Sequence, residues 1–172
     1  GERLLVPGSN IMAPRVIFLR DGRLRVYVTQ RGVGIISAIS ADGMTFELEP
    51  EPHFPGDTST FAPDLVILPD GQYRIYFVAN SSAQPTMQGG GQHLMTAVSD
   101  DGLNWERETT PVLSPGSTWD KAKSSEMCVF PLPGNDETPI YGMVYEGCDG
   151  TTPNARGVWR VAAATNVENA RL

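Results

Sequence analysis

The stretch "FAPDLVILPDGQYRIYFVAN", Phe61 to Asn80, decides the reading of this chain. Two runs rich in β-branched and aromatic residues flank Pro69-Asp70-Gly71, which reads as strand, tight turn, strand. A close copy, "MAPRVIFLRDGRLRVYVTQ" (Met12 to Gln30), begins 49 positions earlier. Ala13-Pro14-Arg15 aligns with Ala62-Pro63-Asp64, so an arginine in the first copy faces an aspartate in the second. The repetition bears on the fold, and the exchange bears on the chemistry.

The likeness continues beyond the hairpins. "ISAISADGMTF" (Ile36 to Phe46) matches "LMTAVSDDGLNW" (Leu94 to Trp105), with an insertion at 81–91. A weaker third copy runs through "SEMCVFPLPGN" from Ser125, "PIYGMVYEG" from Pro139 and "GVWRVAAATN" from Gly157. Each copy reads as four strands. Asp-Gly pairs at Asp21-Gly22, Asp42-Gly43, Asp70-Gly71 and Asp101-Gly102 predict two-residue hairpin turns with positive φ at both central residues. No segment has the period of an amphipathic helix.

A repeat of about 40–50 residues carrying four strands is the signature of a β-propeller blade. The expected fold is therefore all-β, one propeller-like domain over 1–172, with blades near 13–52, 62–113 and 125–165. The third copy has no clear fourth strand. "ERLLVPGS" (Glu2 to Ser9) resembles the outer-strand segment "ERETTPVLSPGS" (Glu106 to Ser117) and is expected to close a blade. Three blades leave exposed sheet edges, which closure or pairing must cover. Two solutions follow: a piece of a longer propeller, or a homodimer that forms a six-bladed ring.

The bulk numbers fit one domain. The chain has 172 residues, 40% of them hydrophobic, and a formal net charge of -7. An acidic surface argues against nucleic-acid and anionic-membrane partners. No apolar run is long enough to span a bilayer. "GERLLVPGSN" has no basic-then-apolar leader, so a soluble protein without a visible signal peptide is expected. Cys128 and Cys148 fit no zinc pattern and are expected to be thiols rather than a bridge. Neither a cofactor nor a metal is implied.

The Ala-Pro-Asp inner-strand motif and the "SDDGLNW" turn resemble those of the five-bladed propeller glycoside hydrolases. These are the arabinanase and xylosidase enzymes of family 43, with the invertase and levansucrase group as relatives. The likeness is close over the first two copies and looser over the third. It implies a hydrolase that cleaves glycosidic bonds with paired carboxylates in a central pit. Asp64 would then be the second-blade orienting aspartate, or the base, and Glu126 the acid. Arg15 falls where the base would stand, and an arginine accepts no proton at neutral pH. Such chemistry needs one protonated carboxyl beside the leaving oxygen and one carboxylate opposite it.

Other readings stand beside these roles. Asp64 can serve by bonding backbone amides, Glu126 as a solvated acid, and Arg15 as the partner of either. Paired with Arg15, an acid is held ionised; alternatively, Arg15 grips a carboxylate or phosphate ligand. His93, the last residue of "MQGGGQH", and Trp119, in "GSTWDKAKSSE", are substrate-binding candidates, with surface-loop and core-lid roles as the alternatives. Asp42 and Asp101 are expected to bond local backbone, and Phe46 and Trp105 to pack between blades. Glu146 and Asp149 are weaker pit candidates. The partner classes are thus a carbohydrate or small anion and a second copy of the chain. A non-catalytic binding module and a structural protein are the alternatives to an enzyme.

Overall fold

The computed structural model describes residues 10–81, 91–135, 138–151 and 157–166. Eleven strands and no helix occur among them. The first repeat forms β1 (Ile11–Phe18), β2 (Leu24–Gln30), β3 (Gly34–Ser40) and β4 (Glu47–Leu48), an antiparallel sheet in that order. The second repeat forms β5 (Thr60–Ile67), β6 (Tyr73–Ser81), β7 (Gly91–Ser99) and β8 (Glu106–Arg107). The third forms β9 (Lys123–Asn135), β10 (Thr138–Cys148) and β11 (Trp159–Thr165).

One expectation changes here. The second and third repeats are joined in a single seven-stranded sheet, through a parallel pairing of Gln92 on β7 with Lys123 on β9. Every other pairing is antiparallel, so three antiparallel units remain recognisable. The third unit has three strands among the described residues. The segment proposed to close a blade, Glu2 to Ser9, lies outside them.

The turns also differ from expectation. Only the glycine of each Asp-Gly pair has positive φ: Gly22 at 86°, Gly43 at 74°, Gly71 at 90° and Gly102 at 73°. Gly22 donates its N–H to Leu19 O (3.0 Å), and Leu19 N–H donates to Arg23 O (2.8 Å). Gly71 repeats this with Leu68 O. These hairpins add one residue, with glycine as the bulge, because the aspartate already binds the chain ahead of it. Asp21 and Asp70 each accept the N–H two residues on, at 3.0 Å. Asp42 and Asp101 bond local backbone as expected, accepting from Met44 and Thr45, and from Leu103 and Asn104.

The core is layered between units. Ile17, Tyr27 and Ile35 of the first unit pack against Leu65, Ile75, Phe77, Met95 and Ala97 of the second. Ala62, Val66, Val78 and Leu94 of the second pack against Met127, Val129, Met143 and Tyr145 of the third. The second unit's Asp-Gly turn docks on the first unit. Arg25 donates to Asp101 O (2.8 Å), and Tyr27 Oη donates to Gly102 O (2.8 Å). Trp105 sits edge-on to Tyr27 and His53 at that joint, as expected of an inter-unit residue. Phe46 does not: it lies against Val26, Val28 and Ile36 of its own unit. No disulfide joins Cys128, which is exposed, to Cys148, which is buried.

His53 gives this joint a pH dependence. Burial pushes its pKa down from 6.5 to about 4. The unfolded chain therefore takes up the proton first, so stability falls as pH drops from 6.5 toward 4. Chemical unfolding at pH 7 and pH 5 is expected to differ by about 2 kcal/mol from this group. His53→Phe is expected to flatten that slope, whatever it does to the stability at pH 7.

Candidate functional site

The three inner strands meet at one level. β5 lies against both β1 and β9. In β1 the register slips between Met12 and Arg15, and in β5 between Phe61 and Asp64. The cause is the repeated Ala-Pro pair. Ala13 and Ala62 adopt φ of 52° and 50°, and the proline that follows offers no N–H to the ladder. Such bulges re-aim the next side chain. Thr29 Oγ1 accepts the otherwise idle Ala62 N–H at 2.8 Å. β9 also slips at this level, with Glu126 unpaired between Ser125, opposite Glu146, and Met127, opposite Tyr145.

Arg15 and Asp64 are brought together. Arg15 Nε lies 3.1 Å from Asp64 Oδ1, and one guanidinium nitrogen donates to Met127 O at 3.2 Å. Asp64 Oδ2 accepts the Val129 N–H at 2.5 Å. Asp64 is buried, whereas Arg15 is half exposed. Burial pushes the Asp64 carboxyl up, and the Val129 N–H and the Arg15 charge pull against it. Two donors on two oxygens hold it as an acceptor, so the carboxylate is committed to linking β1, β5 and β9.

Glu126 is exposed beside this link. Its pKa is raised, first by partial loss of water around the carboxyl and then by the charge of Glu146, with Arg15 opposing. A raised carboxyl suits proton donation. The ion pair of Arg15 is with Asp64, not Glu126.

The remaining candidates lie apart from the link. His93 is on β7, with Nδ1 3.0 Å from Ser114 Oγ. Trp119 is half-buried and packs on Tyr145, ring centroids 5.8 Å apart, as part of the core between the second and third units. Asp120, which the sequence reading passed over, pins that loop. It accepts from Ser117 N–H (2.7 Å) and Gly116 N–H (3.3 Å). Ser117-x-x-Asp120 is a turn signal that would have revealed it. Asp149 is held by Arg160 at 3.0 Å and by Thr151 and Val158 N–H groups, a structural role. The larger clefts, of about 570 and 650 Å³, lie between the second and third units and are lined by neither Asp64 nor Glu126. No cluster of metal-binding side chains occurs among the described residues.

Solved structures resemble this chain closely in shape. A thermostable family-43 glycoside hydrolase superimposes with a TM-score of 0.65 at 21% identity, over 90% of this chain and 50% of its own. An endo-1,4-β-xylanase from Bacteroides thetaiotaomicron gives 0.67 at 18%, over 91% and 50%. An α-L-arabinofuranosidase from Podospora anserina, solved with cellotriose, gives 0.68 at 15%, over 91% and 54%. The chain has the fold of the propeller glycoside hydrolases. It spans about half the length of these structures. No sequence-family profile matches it, and no curated protein does. No helix among the described residues is long and apolar enough to cross a membrane.

The Arg15–Asp64 link predicts an asymmetric mutational cost. Asp64→Ala strands the Val129 N–H and the Arg15 charge, and is expected to cost about 3 kcal/mol. Arg15→Ala, at a half-exposed group, is expected to cost about 1 kcal/mol. Urea unfolding of both singles and the double should show a coupling of about 1 kcal/mol. Additive costs would refute the link.

Proposed function

We propose that this chain is a carbohydrate-active protein of the glycoside hydrolase type, built on a single propeller-like domain. The fold shared with family-43 and family-62 enzymes carries the reading. Within it, Glu126 is assigned as the general acid. Its raised pKa supports protonation of a glycosidic leaving oxygen. Asp64 is assigned as a positioning residue, because both oxygens already accept hydrogen bonds from Arg15 and Val129. His93 and Trp119 are assigned to substrate contact, Trp119 by stacking on a sugar ring.

A second reading rests on Arg15. Where the resembling enzymes carry a carboxylate base, this chain carries a guanidinium locked to Asp64 and Met127 O. A site with an acid and no opposing base binds sugars or small anions without cleaving them. This binding module is the alternative function.

A panel of aryl glycosides separates the two. Turnover is expected to drop at least ~100-fold in Glu126→Gln, the usual loss for a general acid. The protonated form is the active one, so activity falls as pH rises through the Glu126 pKa. Removing the Glu146 charge lowers that pKa, so Glu146→Gln should move the alkaline limb to lower pH. Sugar binding by calorimetry, with no turnover on any aryl glycoside, would favour the binding module.

A further inference from the structure

The repeat itself shows what one surface of this fold recognises. At the joint of the first and second units, Arg25 and Tyr27 stand two residues apart on β2, on one face of the strand. Arg25 donates to Asp101 O and Tyr27 Oη to Gly102 O, both at 2.8 Å. Glu49 balances the Arg25 charge, and the further oxygen that Arg25 holds is an uncharged carbonyl. Trp105 fills the space beside the pair, edge-on to Tyr27. Arg74 and Tyr76 occupy the same two positions on β6. Glu108 balances Arg74 at 2.7 Å, as Glu49 does Arg25. No carbonyl meets Arg74 or the Tyr76 hydroxyl among the described residues. Both side chains line a cleft of about 570 Å³ instead, and Leu113, Val129, Met143 and Ala164 form its apolar wall.

We propose that this cleft binds a small peptide-like molecule, with an aromatic body and two neighbouring amide carbonyls. Arg74 and Tyr76 each take one carbonyl, as Arg25 and Tyr27 do in the first joint. The ring lies against the apolar wall, as Trp105 lies beside Tyr27. The volume falls within the roughly 300–1,000 Å³ of small-molecule sites, which are likewise mostly apolar with a few placed polar groups. Charge decides between an amide and a carboxylate. Glu108 already neutralises Arg74, and the chain carries a formal net charge of -7, so a second carboxylate beside Glu108 meets repulsion. A sugar fits poorly, because most of its hydroxyls would face the apolar wall without a partner. Neither Asp64 nor Glu126 lines the cleft, so this site is separate from the glycosidic centre and independent of that reading.

Titration of the isotope-labelled chain with N-acetyl-L-tryptophanamide, followed by two-dimensional NMR, tests this. Saturable shifts are expected at the amides of Leu113, Gly142 and Ala164, with a Kd of roughly 0.1–1 mM for a ligand of this size. Tyr76→Phe and Arg74→Gln remove donors and keep most of each side chain, so native spectra are expected of both. Each should weaken binding about 5-fold, the loss of one hydrogen bond. N-acetyl-L-tryptophan, which carries a carboxylate where the first probe carries an amide, should bind at least ~5-fold more weakly. Absence of saturable shifts up to the solubility of the amide would overturn the proposal, as would shifts confined to residues away from the cleft. Tighter binding of the carboxylate would overturn it in favour of an anion site. Binding indifferent to both variants would sink it as well. Should Arg74→Gln lose its native spectrum, Tyr76→Phe and the carboxylate probe carry the same comparison.

Discussion

A buried carboxylate organises this molecule. Asp64 sits where β1, β5 and β9 converge, and a charge taken out of water there must be matched by donors. Arg15 comes from β1 and the Val129 N–H from β9, so satisfying one side chain fixes three strands from three units. Arg15 adds a second bond, to Met127 O, and the inner strands are held at the level of their bulges. Hydrophobic layers bind the units without fixing their orientation. Directional bonds do, at Asp64 and, for the first joint, from Arg25 and Tyr27 to the Asp101-Gly102 turn. Glu126 inherits its place from them, since its neighbour Met127 is gripped through the backbone. The same commitment restricts chemistry, because an oxygen that must hold a strand is not free to take a proton from water.

The periphery follows a second rule. Arg25 pairs with Glu49 at 2.8 Å and is covered by the Asp101-Gly102 turn of the next unit. Arg74 repeats the pairing with Glu108 at 2.7 Å, yet both partners are far more exposed. The difference is what lies over them. In the first joint the Asp-Gly turn supplies two carbonyls and Trp105. In the second joint the corresponding place is the 570 Å³ cleft lined by Leu68, Arg74, Tyr76, Tyr141 and Asn166. One repeated ion pair therefore becomes a buried latch in one setting and a solvent-screened contact in the other.

Much of the fold was legible because repetition is visible in residues. Ala-Pro, Asp-Gly and the aromatic second strand recur at matching offsets and give the units and their order. The turn aspartates could be read from chemistry alone, since a short carboxylate ahead of glycine bonds the amides that follow it. Other features lay outside the sequence. Alanine is a poor candidate for positive φ, so nothing in "MAPR" or "FAPD" announces the bulges at Ala13 and Ala62. The parallel pairing of Gln92 with Lys123 depends on where two distant strand ends come to rest. Phe46 and Trp105 occupy equivalent sequence positions but differ in surroundings, because one faces a neighbouring unit and the other a bare side. For the site, the Arg15–Asp64 pairing was among the alternatives read from the exchange. The Val129 N–H that takes the second oxygen was not, because backbone donors carry no sequence signal.

The exchange of aspartate for arginine is more than the loss of one group. Arg15 neutralises Asp64, so the centre tolerates a buried acid. A carboxylate in its place would remove the guanidinium that Asp64 is paired with and set a like charge near it instead. Both changes would drive the Asp64 pKa further up and loosen the three strands. An active arrangement on this scaffold therefore needs other donors for Asp64 before position 15 can hold a base. Arg15 and Asp64 are thus a mutually dependent pair, and neither can be exchanged without re-providing the other's partner.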